Sequence, residues 1–379
     1  MITKPKGFLA AGISCGIKKS GKKDLALIFS KTSALAYGVF TANKVKAVPL
    51  LISAQHLRKG RARAVIINSG NANCYTGKQG LKDAKKIISL AARKLGIKTT
   101  EVLAASTGII GKQLPMKKIL PAIKPVCSKL SKSGGVDAAK AIQTTDKFLK
   151  QAAKSFKIGK KTVSIGAMAK GAGMIFPNLT PLGKNATMLC FITSDALIEF
   201  SALKKALDLS VEQSFDAITV DGCMSTNDMV LILANGEAKN KKIKLSSREF
   251  NMFRTALSNI CQDLAKKIIL DAEGATKFIK INIKGAKSIA LAKKCAFSIA
   301  NSPLFKTACF GENRNIGRVI SAIGAVGVSL DENKTKINLS SLKKKNIFLN
   351  VDLKQGKSNT TVYTCDLSPE YIKINAGYS

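Results

Sequence analysis

The sequence of 379 residues contains no tryptophan, one histidine and only 23 acidic residues. His56 is the single histidine, and its segment 54–58 is typical of a helix surface, so a Ser-His-Asp triad is not expected. The sequence also has no run of ~18 apolar residues, which excludes a transmembrane helix. Walker A, G-x-G-x-x-G and H-E-x-x-H motifs are missing as well. An enzyme built on this chain therefore needs a general base other than histidine.

The scarcity of acidic side chains leaves the 62 lysines and arginines in large excess, with a formal net charge of +39. Residues 1–186 carry most of this charge, at +30. Lysines are scattered over polar positions, and only eight of the basic residues are arginine, the type that suits bidentate phosphate contacts. The pattern favours a lysine-rich surface, and no nucleic-acid partner is expected. A basic nucleic-acid-binding protein without catalysis is the second hypothesis, for which salt-sensitive duplex binding is the test.

The composition, with 46% hydrophobic and 22% charged residues, indicates a globular protein, and the length allows two domains. Nine dispersed cysteines without C-x-x-C indicate reduced thiols in a cytoplasmic protein and no metal site. Lys4 and Lys6 precede the apolar segment 7–13, as in a short signal peptide. Because lysines return at Lys18 and Lys19, we interpret 7–13 as a strand of the mature protein.

Apolar runs rich in β-branched residues alternate with segments of helical period, which predicts an α/β fold without a clean βαβ repeat. The predicted strands are 64–68, 162–167, 188–193, 229–234, 278–283, 319–328, 347–353 and 360–364. The predicted helices are 81–95, 138–154, 201–209, 247–269 and 286–296. Polar, lysine-rich stretches at 129–137 and 239–247 are predicted connectors.

Several clusters of glycine with polar residues interrupt these elements, at 68–73, 106–111, 169–174, 219–222, 225–228 and 271–277. Each cluster alone fits a tight turn, because Gly, Asn and Asp dominate turns for conformational reasons. Their number, and the lone Lys170 and Glu273 in glycine-rich settings, favour a functional interpretation.

In these clusters and further motifs the chain resembles the ornithine acetyltransferases of arginine biosynthesis, also called glutamate N-acetyltransferases. The resemblance begins at Lys4-Pro5-Lys6-Gly7-Phe8 and extends to the last residues. It includes 38–41, 68–73, 106–111, 170–174, 186–189, 191–196, 219–222, 271–278, 301–304 and 365–367. It implies a two-domain α/β fold with mixed sheets layered with helices.

The resemblance further implies that the chain cuts itself between Ala186 and Thr187. The products are an α chain of residues 1–186 and a β chain of residues 187–379, which assemble as an α2β2 heterotetramer with the active site between the cleaved halves. Thr187 then becomes the N-terminal nucleophile. An α-amine with a pKa of ~7.7–8.0 is partly neutral near pH 7 and can accept the hydroxyl proton.

The remaining site residues are carried over motif by motif. Thr107 and Gly108 match the oxyanion-hole pair, a hydroxyl and a backbone N–H that stabilise the tetrahedral oxyanion. Residues that match substrate-binding positions are Thr144, Lys170, Thr187, Glu273, Asn375 and Ser379. The charges of Lys170 and Glu273 suit the α-carboxylate of every substrate and the ammonium of ornithine.

Three departures from the family pattern stand out. The stretch 179–185 adds about six residues immediately before the bond to be cut, and it makes Thr180 a competing candidate for cleavage. In the segment 315–318, Ile316 replaces a family tryptophan. The tail is one residue shorter than usual, and Ser379 takes the place of the terminal Ser or Thr ligand.

The implied reaction is a ping-pong transfer of the acetyl group from N2-acetylornithine to glutamate through an acetyl-Thr187 ester, with no metal or cofactor. Two other enzymatic activities remain open as alternatives to this reaction. In one, the enzyme is bifunctional and also makes N-acetylglutamate from acetyl-CoA. In the other, water replaces glutamate and the protein is a hydrolase, which breaks down acetylornithine at equal rates with and without glutamate.

Overall fold

The computed structural model describes residues 1–176 and 188–377, which form two compact units. Unit 1 comprises residues 1–171, 177–216 and 224–264, of which 177–187 lie outside the described residues. Unit 2 comprises residues 172–176, 217–223 and 265–379, described as far as residue 377. The predicted two-domain α/β class is therefore confirmed.

Unit 1 contains an eight-stranded mixed sheet with helices on both faces. Its strands are β1 (Phe8–Ile13), β2 (Leu25–Phe40), β3 (Arg61–Asn71), β4 (Val102–Ile109), β5 (Lys150–Ile158), β6 (Lys161–Lys170), β7 (Leu189–Ser194) and β8 (Met229–Ala234). Its helices are α1 (Val48–His56), α2 (Gly77–Leu95), α3 (Met116–Ser128), α4 (Gly135–Ile142), α5 (Phe200–Glu212) and α6 (Arg248–Leu270), the last of which continues into unit 2.

The strand order in this sheet is β4-β3-β2-β8-β7-β6-β5, with β1 paired to β2. The β3–β4 and β7–β8 pairs are parallel, and the other pairs are antiparallel. Successive residues of β3 enter different cores: Val65 and Ile67 join one cluster, whereas Ala64 and Ile66 join the other. Because side chains alternate across a strand, this places a core on each face of the sheet.

Unit 2 contains a four-stranded sheet with the order β10-β11-β9-β12. Its elements are β9 (Phe278–Ala286), α7 (Ile289–Asn301), α8 (Pro303–Phe310), α9 (Gly317–Gly324), β10 (Lys336–Leu339), β11 (Asn346–Asp352), β12 (Ser358–Cys365) and α10 (Pro369–Ala376). Alternate residues of β9 and β11 pack with α7, α8 and α9 in one core. Ser288 begins α7 as an N-cap that accepts the Leu291 N–H, so the helix begins three residues later than predicted.

The predicted helix over 138–154 is wrong in its second half. Helix α4 ends at Ile142, and the chain then turns and enters β5 at Lys150. The Asp146 carboxylate accepts the N–H of Thr144, a local hydrogen bond that competes with helix continuation. Strand β5 is completed only by its antiparallel partner β6, which a single segment of sequence does not reveal.

The predicted strand over 319–328 is also wrong, because this segment forms α9 and the turn that follows it. The buried residues are Val319, Ala322 and Ile323, spaced three and four apart as on one face of a helix. The dense apolar composition of the segment hid this period.

The other predicted elements are confirmed, with ends that shift by a few residues, and the N-terminal segment is a strand as predicted. All nine cysteines lie in described parts of the chain, and all are free thiols. None of the helices within residues 1–176 and 188–377 has the length and apolar character that spanning a bilayer requires.

Candidate active site

Thr107 and Gly108 lie near the end of β4, opposite Ser69 and Gly70 of the parallel strand β3. Gly108 has φ = +133°, and a Cβ atom on it would overlap the backbone of Gly70 and Asn71. Only glycine fits this conformation and this close approach of two backbones. The geometry therefore explains the glycine that follows Thr107.

A buried polar network holds the segment that leads to Thr107. Ser106 Oγ donates to Asn68 Oδ1 at 2.5 Å, and Asn68 Nδ2 donates to the Asn71 carbonyl at 2.8 Å. Asn227 Nδ2 donates both to the Ser106 carbonyl at 2.8 Å and to the Ala72 carbonyl at 2.7 Å. These residues belong to the polar clusters 68–73, 106–111 and 225–228, which the sequence alone could not join.

Lys170 is the last residue of β6, and its Nζ lies 3.3 Å from Thr107 Oγ1. Both residues are buried, at 5% and 7% exposed. A lysine ammonium can only donate, so the Thr107 oxygen accepts this hydrogen bond. The hydroxyl proton of Thr107 is thereby directed away from Lys170 and toward a different acceptor.

Thr144 lies in the turn between α4 and β5, where its N–H donates to Asp146 Oδ2 at 3.0 Å. Asp146 Oδ1 accepts from Lys150 Nζ at 2.6 Å and from the Gly171 N–H at 2.8 Å. Sequence reasoning selected Thr144 and Lys170 but missed Asp146. The only available signal was an acidic residue directly after Thr144-Thr145 in a segment rich in lysine.

Lys18 is a second residue that sequence reasoning missed. Its Nζ donates to the carbonyl of Gln143 at 2.7 Å and to that of Lys23 at 2.8 Å. Burial and the positive charge of Lys170 lower the pKa of Lys18 to about 8, against the opposing effect of Asp24. Lys18 therefore anchors the residue that precedes Thr144, and no local sequence pattern marks it.

In unit 2, Glu273 and Asn375 form a pair. Asn375 Nδ2 donates to Glu273 Oε2 at 3.0 Å, and Glu273 is buried at 8% exposed. The Glu273 N–H donates to the Ala172 carbonyl at 2.9 Å. A Cβ atom on Gly173 would overlap the Glu273 carboxylate, so glycine at 173 leaves the space that this side chain occupies. Glu273 and Asn375 are predicted site residues that lie 102 residues apart in the sequence, and their side chains are in direct contact.

The glycine-rich segment that carries Gly173 is held by Asp221. Its carboxylate accepts the N–H groups of Met174 at 2.6 Å and Ile175 at 3.0 Å, and the Tyr371 hydroxyl at 3.2 Å. Burial, followed by the charge of Asp221, raises the pKa of Tyr371, so its hydroxyl stays protonated and continues to donate.

The structure therefore brings Lys170 to Thr107 and Asn375 to Glu273. Ala186, Thr187 and Ser379 lie outside the described residues, as does the competing Thr180. His56 ends α1 as expected, but it is half-buried, with Nδ1 2.9 Å from the Val102 carbonyl. Among the described residues there is no group of three or more His, Cys, Asp or Glu side chains that could hold a metal.

A family model described as "ArgJ family" matches residues 9–379. The chain is 44% identical to the arginine biosynthesis bifunctional protein ArgJ of Caldanaerobacter subterraneus subsp. tengcongensis, over 99% of this chain and 97% of that protein. It is 43% identical to the protein of the same name from Symbiobacterium thermophilum, over 100% of this chain and 98% of that protein.

Among solved structures, the chain is similar to a crystal structure of arginine biosynthesis bifunctional protein ArgJ from Bacillus halodurans. The two are 38% identical, the match covers 47% of this chain and 94% of that one, and the TM-score is 0.46. It is also similar to ornithine acetyltransferase from Mycobacterium tuberculosis complexed with ornithine, at 41% identity, with 47% and 95% of the two chains covered and a TM-score of 0.43.

Proposed function

The chain belongs to the ArgJ family, and from that membership we propose that it transfers the acetyl group of N2-acetylornithine to glutamate. The products are ornithine and N-acetylglutamate, and the protein is an acyltransferase of arginine biosynthesis. The observation that carries this proposal is the 44% identity to a named ArgJ protein over 99% of the chain.

We propose that the chain first cuts itself between Ala186 and Thr187, giving an α chain of residues 1–186 and a β chain of residues 187–379. Thr187 precedes β7 by two residues, and Leu189, the first residue of β7, pairs with Lys170. This position in the sequence, two residues before the strand partner of Lys170, supports the choice of Thr187 as the nucleophile that acts with Lys170 and Thr107. The two chains assemble as α2β2 in this proposal, and the nine free thiols favour the cytoplasm.

In the first half-reaction, the neutral α-amine of Thr187 accepts the proton of the Thr187 hydroxyl, and the oxygen attacks the acetyl carbonyl. The hydroxyl of Thr107 and the N–H of Gly108 donate to the oxyanion. The contact between Lys170 and Thr107 Oγ1 supports this role, because it directs the Thr107 proton away from the lysine. The C–N bond then breaks, ornithine leaves with the proton, and the acetyl group stays on Thr187 as an ester.

In the second half-reaction, the amine of glutamate attacks the ester carbonyl, and the same donors stabilise the second oxyanion. N-acetylglutamate leaves and the Thr187 hydroxyl is restored. Lys170 binds the α-carboxylate that both substrates share, and Glu273 binds the ammonium of ornithine. Thr144, Asn375 and Ser379 complete the proposed set of substrate-binding residues.

The test of this function is the mass of the cut protein after incubation with N2-acetylornithine alone. We expect the fragment that begins at Thr187 to gain one acetyl group, and added glutamate to remove it as N-acetylglutamate. Acetylornithine breakdown at the same rate without glutamate would instead identify a hydrolase. The absence of any acetylated fragment from fully cut protein would contradict the proposal.

The second candidate is a bifunctional enzyme that also uses acetyl-CoA, and it is favoured by the word "bifunctional" in the names of the relatives. The same preparation, given acetyl-CoA and glutamate without acetylornithine, separates the two. Formation of N-acetylglutamate would establish the second activity, and its absence would limit the enzyme to acetylornithine.

Gly173→Ala provides a test of the role of Glu273. The new methyl group would overlap the Glu273 carboxylate and displace it from Asn375. We expect KM for N2-acetylornithine to rise about 10-fold, which is the effect expected when one charge-assisted hydrogen bond to the substrate is lost. Gly324→Ala is the matched control, since a Cβ atom there meets no atom within 4 Å. Equal KM values for N2-acetylornithine in the two variants would show that Glu273 does not bind ornithine.

A further inference from the structure

The Asp146 carboxylate lies at the junction of two segments that carry proposed substrate-binding residues. Its side chain is 1% exposed, and it accepts hydrogen bonds from two backbone N–H groups and one ammonium. One of the N–H groups is that of Thr144, at 3.0 Å from Oδ2. The other is that of Gly171, at 2.8 Å from Oδ1, and Gly171 directly follows Lys170. A single side chain therefore fixes the backbone at both substrate-binding positions.

Asp146 forms an ion pair with Lys150, the first residue of β5. Its ammonium is 2.6 Å from Asp146 Oδ1, and its side chain is 0% exposed. Lys150 stands next to the end of β6 in the sheet, opposite Ala169. The ion pair thus joins the start of β5, the end of β6 and the turn between α4 and β5 at one point.

The charge of Asp146 is maintained by its surroundings. Burial raises its pKa, but the positive charges of Lys170 and Lys150 and the N–H of Gly171 outweigh that effect and lower the pKa to about 2. The carboxylate is therefore ionised throughout the neutral range. A buried ionised group that accepts hydrogen bonds from three donors holds those donors in one geometry.

We propose that Asp146 is a positioning residue that sets Thr144 and Lys170 in place for substrate binding. The inference rests on the proposed function, because it takes Thr144 and Lys170 as substrate-binding residues. Asp146 does not itself need to touch the substrate, since it acts through the backbone of its neighbours. Its loss would free the Gly171 and Thr144 amides together and leave Lys150 and Lys170 without this counter-charge.

The first variant is Asp146→Asn in the full chain, which keeps the shape of the side chain and removes its charge. We expect KM for N2-acetylornithine, and Kd for ornithine by calorimetry, to rise about 10- to 100-fold, as for lost hydrogen bonds to a charged group. Intact mass shows whether the variant is cut. The ornithine Kd reports the effect of Asp146 even if the unaltered enzyme fails to form the acetylated fragment, so failure of the proposed function is seen separately.

Asp195→Asn is the matched control. The Asp195 residue is likewise buried, and its carboxylate accepts the backbone N–H groups of Ser164 at 2.7 Å and Lys6 at 3.0 Å. It follows the far end of β7, six residues from Leu189, or about 20 Å along an extended strand. We expect it to lower the melting temperature without changing KM or the ornithine Kd. If Asp146→Asn behaves in the same way, the positioning role is overturned.

Asp146→Asn could fail to fold because it removes the carboxylate charge that faces the buried Lys150 ammonium, so a double variant, Asp146→Leu with Lys150→Met, is also made. Replacing both members of a buried ion pair by apolar residues is often neutral for stability. We again expect a raised ornithine Kd, because both amides lose their acceptor. An unchanged Kd would overturn the proposal. Failure of this second variant to fold would also count against it, by showing that Asp146 serves the fold instead.

Discussion

Thr187→Ala is expected to leave the chain as one uncut species of 40.3 kDa and to lower acetyl transfer by at least ~10⁴-fold. The substitution removes the Thr187 oxygen, which in our proposal has two tasks. It attacks the Ala186 carbonyl during self-cleavage, and it later carries the acetyl group. Because one atom serves both steps, the two losses should occur together.

The measurement is intact mass of the denatured protein, followed by the rate of N-acetylglutamate formation. The unaltered chain should give pieces of 186 and 193 residues. Thr187→Ser keeps the hydroxyl and should be cut and remain active, and Thr180→Ala should behave as the unaltered chain. Pieces of 179 and 200 residues would move the nucleophile to Thr180. Cleavage and turnover by Thr187→Ala would refute the mechanism.

Thr107→Val should lower kcat about 100- to 1000-fold with little change in KM. Valine keeps the shape of threonine but has no hydroxyl, so the oxyanion loses one of its two proposed donors. That donor acts on charge that develops only in the transition state, which is why the effect falls on kcat.

Steady-state kinetics with N2-acetylornithine test this expectation once intact mass has established that the variant is cut. Thr107→Ser restores a hydroxyl at the same position and should recover most of the rate. The oxyanion role would fail if Thr107→Val kept the kcat of the unaltered enzyme. A rise in KM with unchanged kcat would instead assign Thr107 to ground-state binding.

The elements that the sequence predicted well are those whose signal is local. Strand β8, Met229–Ala234, was predicted to the residue because an uninterrupted apolar run is buried on both faces of the sheet. Helix α2 was predicted because its apolar residues repeat with a helical period. The prediction for 138–154 failed because a hydrogen bond in a turn ends the helix at Ile142. The prediction for 319–328 failed because the many apolar residues of this segment obscure its helical period.

The candidate site divides in the same way. Thr107, Gly108, Lys170 and Glu273, whose roles remain predictions, were selected from their motifs and from the family resemblance those motifs carry. Asp146 and Lys18 were not, because their roles are contacts with the Gly171 amide and the Gln143 carbonyl, which are distant in sequence. A buried aspartate and a surface aspartate look alike in a sequence.

The amino-acid sequence by itself determined the α/β class, the glycine-rich clusters, the family and the residue types that the chemistry needs. These follow from local periodicity, turn chemistry and ordered motifs, which are written along one segment at a time. Only the tertiary structure decided which clusters meet. Lys170 contacts Thr107 although 63 residues separate them in the sequence and although β6 and β4 are not neighbours in the strand order of the sheet. Such pairings depend on strand order and register, which are set by packing of the whole core.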